Sequence, residues 1–163
     1  LIEKVRHASW KKRIAWLVAV GIVLFGLIQL VPYGRSHDNP PVTQAAKFPD
    51  AETRQLFTDA CGDCHSNLTK WPWYSNIAPM SWLIQNHVDE GRSKFNVSEW
   101  NKPQPDVGDV TEQISSGEMP PWNYKLIHKN ARLSESEQRK LIAALTAIYA
   151  KNPPSIRVGG NEG

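Results

Sequence analysis

Cysteine is nearly missing from this chain. Its 163 residues hold only Cys61 and Cys64, too few for a disulfide-built scaffold. Methionine is as scarce, with Met80 and Met119 alone. No run alternates apolar and polar residues with period two, so no strand-based core is expected. There is no Gly-rich phosphate loop and no internal repeat, which removes nucleotide-cradling and solenoid readings. A charged face of one sign is lacking too. The net charge is +3, but Lys4, Arg6, Lys11, Lys12 and Arg13 supply the excess, and the remainder is close to neutral. Positive charge confined to a short arm is not a nucleic-acid footprint, so no nucleic-acid partner is expected. Nothing points to a small-molecule substrate. The length allows one ordinary domain with an appendage, not a multi-domain enzyme.

What the chain does have is one long apolar run. Ile14 to Val31 carries no charge and one strongly polar residue, Gln29. As a helix it would reach roughly 27 Å, close to the ~30 Å hydrocarbon core of a bilayer. Trp10, Trp16 and Tyr33 flank it, and the basic residues precede it. These features predict an uncleaved single-pass anchor over residues 14–31. They put the N-terminus in the cytoplasm and the body on the periplasmic face of a bacterial inner membrane. A cleaved signal peptide is the alternative, but no small-x-small site follows the run.

The remainder divides by composition. Residues 1–33 form the basic arm and anchor, and 34–49 a polar, proline-containing linker. Residues 50–152 form the main domain, and 153–163 a flexible tail. Asp50 is placed to cap a helix from about Ala51 to Ala60. Ser81 starts another, to about Gly91, and Val107 to Ser116 a short third that Gly117 ends. Ser134 and Glu137 have capping-box spacing ahead of a helix with Leu141, Ile142, Leu145, Ile148 and Tyr149 on one face. Glu118 to Asn130 reads as loop. The expected fold class is all-α: one transmembrane helix plus a small, loop-rich domain.

The sharpest signal is Cys61-Gly62-Asp63-Cys64-His65. C-x-x-C-H is the attachment pattern of c-type haem. Two thiols one turn apart point the same way, so each can form a thioether to one haem vinyl group. His65 then brings its imidazole under the iron. Two other uses of the cysteines compete. A zinc site needs two more ligands, and no second cysteine pair or H-x₃₋₅-H pair exists. Thiol–disulfide exchange by Cys61 and Cys64 needs a βαβ setting that the flanking sequence lacks. For the sixth iron position the candidates are Met119, Met80, His87 and His128, or an open site. Met119 leads because Pro120 and Pro121 stiffen its loop. An open site would instead suit a haem sensor or peroxidase.

These features together are similar to a known family. CGDCHSN, TKWPWYSNIAP, SWLIQNHVDEGR, NVSEW, SGEMPPWNY and ARLSESE cover most of Asp50 to Tyr149. In this combination the chain resembles the bacterial membrane-anchored haem-binding domain family of mono-haem, cytochrome c-like proteins. The resemblance implies an all-α domain holding one covalent haem c. Cys61 and Cys64 would attach it, and His65 and Met119 would ligate its iron. The expected role is single-electron transfer rather than enzymatic turnover. Its partners would be redox proteins, or the other subunits of a respiratory or photosynthetic membrane complex.

Five tryptophans in the body, Trp71, Trp73, Trp82, Trp100 and Trp122, are expected mainly to fill the core around a large cofactor. Arg92 and Lys94 are candidate partners for haem propionates.

Overall fold

The computed structural model describes residues 2–156, with side chains from Ser9 onward. It divides into two units. One takes the chain up to His37 together with Pro72–Gln85, and the other takes Asp38–Trp71 and the chain from Asn86 onward. Residues 157–163, most of the expected tail, lie outside the described part.

In the first unit the apolar run does become helix, as α1 (Ile2–Ile28), but the helix stops early. Gln29 is the reason. Its side-chain amide donates to the carbonyls of Phe25 (3.1 Å) and Ala78 (3.0 Å). Its oxygen accepts from the Ala78 N–H and from Arg35, each at 3.0 Å. The chain turns there, and Leu30 and Val31 lie outside the helix. The uncharged helical stretch is therefore Ile14 to Ile28, roughly 22 Å long. Any longer helical window takes in the charges of Arg13, Lys12 and Lys11. Among the described residues, no helix is long and apolar enough to cross a membrane.

This corrects the expected architecture. Residues 14–31 do not form a helix long and apolar enough to cross a bilayer, so the expected transmembrane helix is not found among the described residues. The inner-membrane location, with the body on the periplasmic face, rested on that span and falls with it.

After α1 the first unit is held by local ties. Gly34 has a φ of +77°, and a side chain there would run into the Ser81 carbonyl. Ser75, fully buried, shares a 2.9 Å hydrogen bond with His37 Nε2.

The second unit carries the core. Helix α2 (Ala51–Phe57) is capped as expected: the Asp50 carboxylate accepts the Thr53 N–H at 2.7 Å. It does not continue as one α-helix to Ala60. A π-helical turn, Thr58–Gly62, follows, then the single turn α3 (Asp63–His65). Helix α4 (Met80–Lys94), which enters this unit at Asn86, outruns its expected end at Gly91. Helix α5 (Val107–Ser115) is capped by Asp106 and closed by Gly117 at φ +78°. A short helix α6 (Trp122–Ile127) occupies what reads in sequence as loop. Helix α7 (Glu135–Lys151) has the capping box of Ser134 and Glu137.

Phe57, Ile114, Leu141, Leu145, Ile148 and Tyr149 form the core with Phe95 and Trp100. Trp100 is 2% exposed and stands edge-on to both Phe95 and Tyr149. Its indole N–H donates to the Asn152 carbonyl at 2.7 Å. The segment after His65 is anchored by a buried polar network. Asn96 donates to Asn67 Oδ1 (2.8 Å), the Asn67 N–H to Ser98 (2.9 Å), and the Val97 N–H to the His65 carbonyl (3.0 Å). Buried polar groups are costly unless paired, so this web ties down the chain on the C-terminal side of α3.

Candidate functional site

Helix α4 reaches the C-x-x-C-H turn through Gly91. A Cβ there would lie 2.6 Å from the Cys64 carbonyl oxygen and 2.9 Å from the Cys64 Cβ. Only glycine lets the two backbones approach so closely. The approach delivers the end of α4 to His65. His65 Nδ1 meets the carbonyl oxygens of Gly91 (3.1 Å) and Phe95 (2.9 Å). The Gly91 carbonyl also accepts the Phe95 N–H at 2.9 Å, so the imidazole shares it with the end of the helix. Both neighbours are acceptors, so Nδ1 carries the proton and Nε2 keeps its lone pair. Burial lowers the His65 pKa, which favours the neutral ring.

His65, Cys61 and Cys64 border one cavity of about 600 Å³. Met119 borders it too, so the structure brings all four sequence-predicted site residues to a single space. Phe57, Phe95, Ile114 and Leu145 form apolar walls, and Glu90, Lys94, Asp109 and Glu112 lie at polar positions around it. The two cysteines are not joined to each other. Burial pushes the Cys61 thiol up to about 12 and the Cys64 thiol up to about 11.

Met119 sits on a short loop between α5 and α6. Its N–H donates to the Gln113 carbonyl at 2.8 Å, and the residue is 37% exposed. Of the other ligand candidates, His87 borders the same cavity, whereas Met80 and His128 are not among its walls. His128 stacks on Tyr124 instead, with ring centroids 3.8 Å apart.

Several contributors are invisible to pattern reading. Tyr124, on α6, borders the cavity and donates its hydroxyl to Asp63 Oδ2 at 2.8 Å. Burial, and then the Asp63 carboxylate, push its phenol up, so it remains a donor at neutral pH. Gly91 left only the signal of a helix end, where the helix in fact continues to Lys94. Tyr124 left none, because its partner lies 61 positions away.

Arg92 is not free for a propionate. It donates to the Ser66 and Asp38 carbonyls, to Asn39 Oδ1 and to Thr69 Oγ1, at 2.7–3.0 Å. Lys94 pairs with Glu90 at 2.6 Å. The tryptophans divide differently from expectation. Trp100 is core, Trp73 and Trp122 are 76% and 73% exposed, and none of the five borders the cavity.

An apolar cavity bordered by two thiols, an imidazole with a free ring nitrogen and a thioether defines a prosthetic-group site. The model of the haem-binding domain family matches residues 23–147, and the chain belongs to that family. Haem is its cofactor, and the cavity's volume and donor set fit it: ligand sites run from about 300 to 1,000 Å³. No curated protein and no solved structure matches the chain.

Proposed function

We propose that this haem protein is a c-type, single-electron carrier. Cys61 and Cys64 attach the haem, His65 Nε2 ligates its iron, and the Met119 thioether takes the sixth position. The observation that carries the reading is the locked imidazole. His65 has its Nδ1–H committed to two carbonyls beside both thiols and the cavity. Metal-ligating histidines are oriented in this way, through the ring nitrogen that does not bind the metal.

Bound there, haem supplies an iron that accepts and returns one electron. The chain does the rest. Each thiol S–H would add across a vinyl C=C of the haem, sulfur to one carbon and hydrogen to the other, so no oxidant or leaving group would be required. The carbonyls of Gly91 and Phe95 hold the His65 ring. Phe57, Phe95, Ile114 and Leu145 give the cavity apolar walls. The soft sulfur of Met119 favours the reduced iron. Redox proteins are the partners this role requires.

Thiol–disulfide exchange by Cys61 and Cys64 finds no support here. Exchange needs a thiolate, and burial pushes both thiols in the opposite direction. A sensor or peroxidase has one supporting observation, the partial exposure of Met119.

The test is spectroscopic. Haem that resists acid extraction and gives a c-type pyridine haemochrome supports attachment. A far-red band in the oxidised protein, of the kind methionine sulfur produces, supports Met119. Haem removed by acid extraction overturns the c-type reading. Covalent haem without the far-red band, and ready carbon monoxide binding after reduction, moves the function to sensing or peroxide chemistry.

A further inference from the structure

We propose that Tyr124 and Asp63 are positioning residues, a latch that holds the Met119 loop against the C-x-x-C-H turn and so keeps the Met119 sulfur in the sixth position. The proposal rests on the Met119 reading above.

Three observations carry it. First, the loop from Gly117 to Pro121 is tied at its two ends. On the α5 side the Met119 N–H donates to the Gln113 carbonyl (2.8 Å). On the α6 side the Tyr124 hydroxyl donates to Asp63 Oδ2 (2.8 Å). Lys125 Nζ reaches back to the Gly117 carbonyl (3.3 Å) and closes the loop on α6. Second, Met119 as a residue is 37% exposed, so it is not enclosed by apolar packing alone. Third, Asp63 is built into the attachment turn, between Cys61 and Cys64. Its Oδ1 accepts the Lys70 N–H (3.0 Å), and its carbonyl accepts the Thr69 hydroxyl (2.6 Å). The carboxylate is therefore held by its neighbours before Tyr124 arrives.

The bond joins residues 61 positions apart, one beside His65 and the other five residues after Met119. It links the two halves of the ligand set. An O–H donating to a carboxylate is a strong hydrogen bond, and its loss changes an equilibrium about tenfold or more.

Tyr124→Phe keeps the ring, its wall of the cavity and its stack on His128, and removes only the hydroxyl. In the haem-loaded protein at neutral pH, the far-red methionine band should weaken. The carbon monoxide on-rate of the ferrous form should rise about tenfold, while the pyridine haemochrome stays unchanged. Asp63→Ala should act in the same direction. The double variant should be no worse than Asp63→Ala alone, which already lacks the Tyr124 bond and also gives up the Lys70 N–H. Leu126→Ala, an exposed position on the same helix, should leave band and on-rate as they were.

A wild type with the methionine band and a Tyr124→Phe variant indistinguishable from it overturns the latch and leaves the Met119 reading standing. Equal changes in Tyr124→Phe and Leu126→Ala also overturn it, since they would reflect general loosening. A wild type without the band overturns both readings.

Discussion

The α-carbon of Gly91 faces the backbone of Cys64 so closely that a single added methyl group would lie 2.6 Å from the Cys64 carbonyl oxygen. Two elements from different parts of the chain meet there. The contact puts the end of α4 within hydrogen-bonding distance of His65, so the order of the site depends on the absence of one side chain.

Gly91→Ala should therefore act on both stability and the site. The clash is with backbone, which cannot rotate away. Forced overpacking of this kind costs about 1–3 kcal/mol. The lowered midpoint should appear in thermal unfolding of the haem-free protein. In the haem-loaded protein the His65-to-iron vibration should shift, because both carbonyls that orient the ring move with α4.

His65→Ala should leave the haem covalently attached and remove its proximal ligand. The pyridine haemochrome should remain c-type while the visible spectrum becomes high-spin, and added imidazole should restore the low-spin form. Loss of covalent haem together with His65 would show that attachment itself depends on the imidazole.

The cysteines give a pH prediction with a definite sign. Each ordinary thiol titrates at 9.0, and burial raises Cys61 to about 12 and Cys64 to about 11. Between pH 9 and about 12 the folded haem-free protein holds more protons than the unfolded chain. Its stability is then fully present below 9 and falls as pH rises through that window. Thioethers do not titrate, so the haem-loaded protein should lack this component. Denaturant titrations of both forms at pH 8 and pH 10.5 would check it.

Trp100→Ala should be the most damaging change outside the site. The residue is 2% exposed and contacts Phe95 and Tyr149 edge-on. Large aromatic deletions cost about 3–5 kcal/mol, a large part of the total stability of a small domain. Trp100→Phe should recover much of the packing but leave the Asn152 carbonyl unpaired. Unfolding midpoints of the two variants would separate packing from the hydrogen bond.

Arg92→Lys should cost stability without moving the haem potential. The guanidinium holds four loop oxygens of Asp38, Asn39, Ser66 and Thr69, a fork that an ammonium cannot reproduce. A loss of about 1–3 kcal/mol with an unchanged midpoint potential is expected. A shifted potential would point to a propionate partner after all.

Much of this was legible in the residues alone, and the legible parts share a reason. Asp50 and Ser134 cap their helices through partners three positions away, and such spacing is visible in sequence. Cys61, Cys64 and His65 reach one cavity because they lie within a single turn. Helix α6 was missed because it is short and its first turn has no side-chain cap. The anchor was misjudged over one residue. Gln29 counts as a lone polar residue in an apolar run, yet its amide ties to Ala78, 49 positions on, and ends the helix.

The sequence by itself determined the chemistry available: two thiols and an imidazole in one turn, a thioether on a proline-stiffened loop, and a helix face to cover them. Tertiary structure alone decided how those groups are held. The seat of α4 on Cys64, the carbonyls that lock His65, the bond from Tyr124 to Asp63 and the end of α1 all join residues far apart in the chain. Such contacts depend on how surfaces meet after folding, and they impose no period or spacing on the residues that make them.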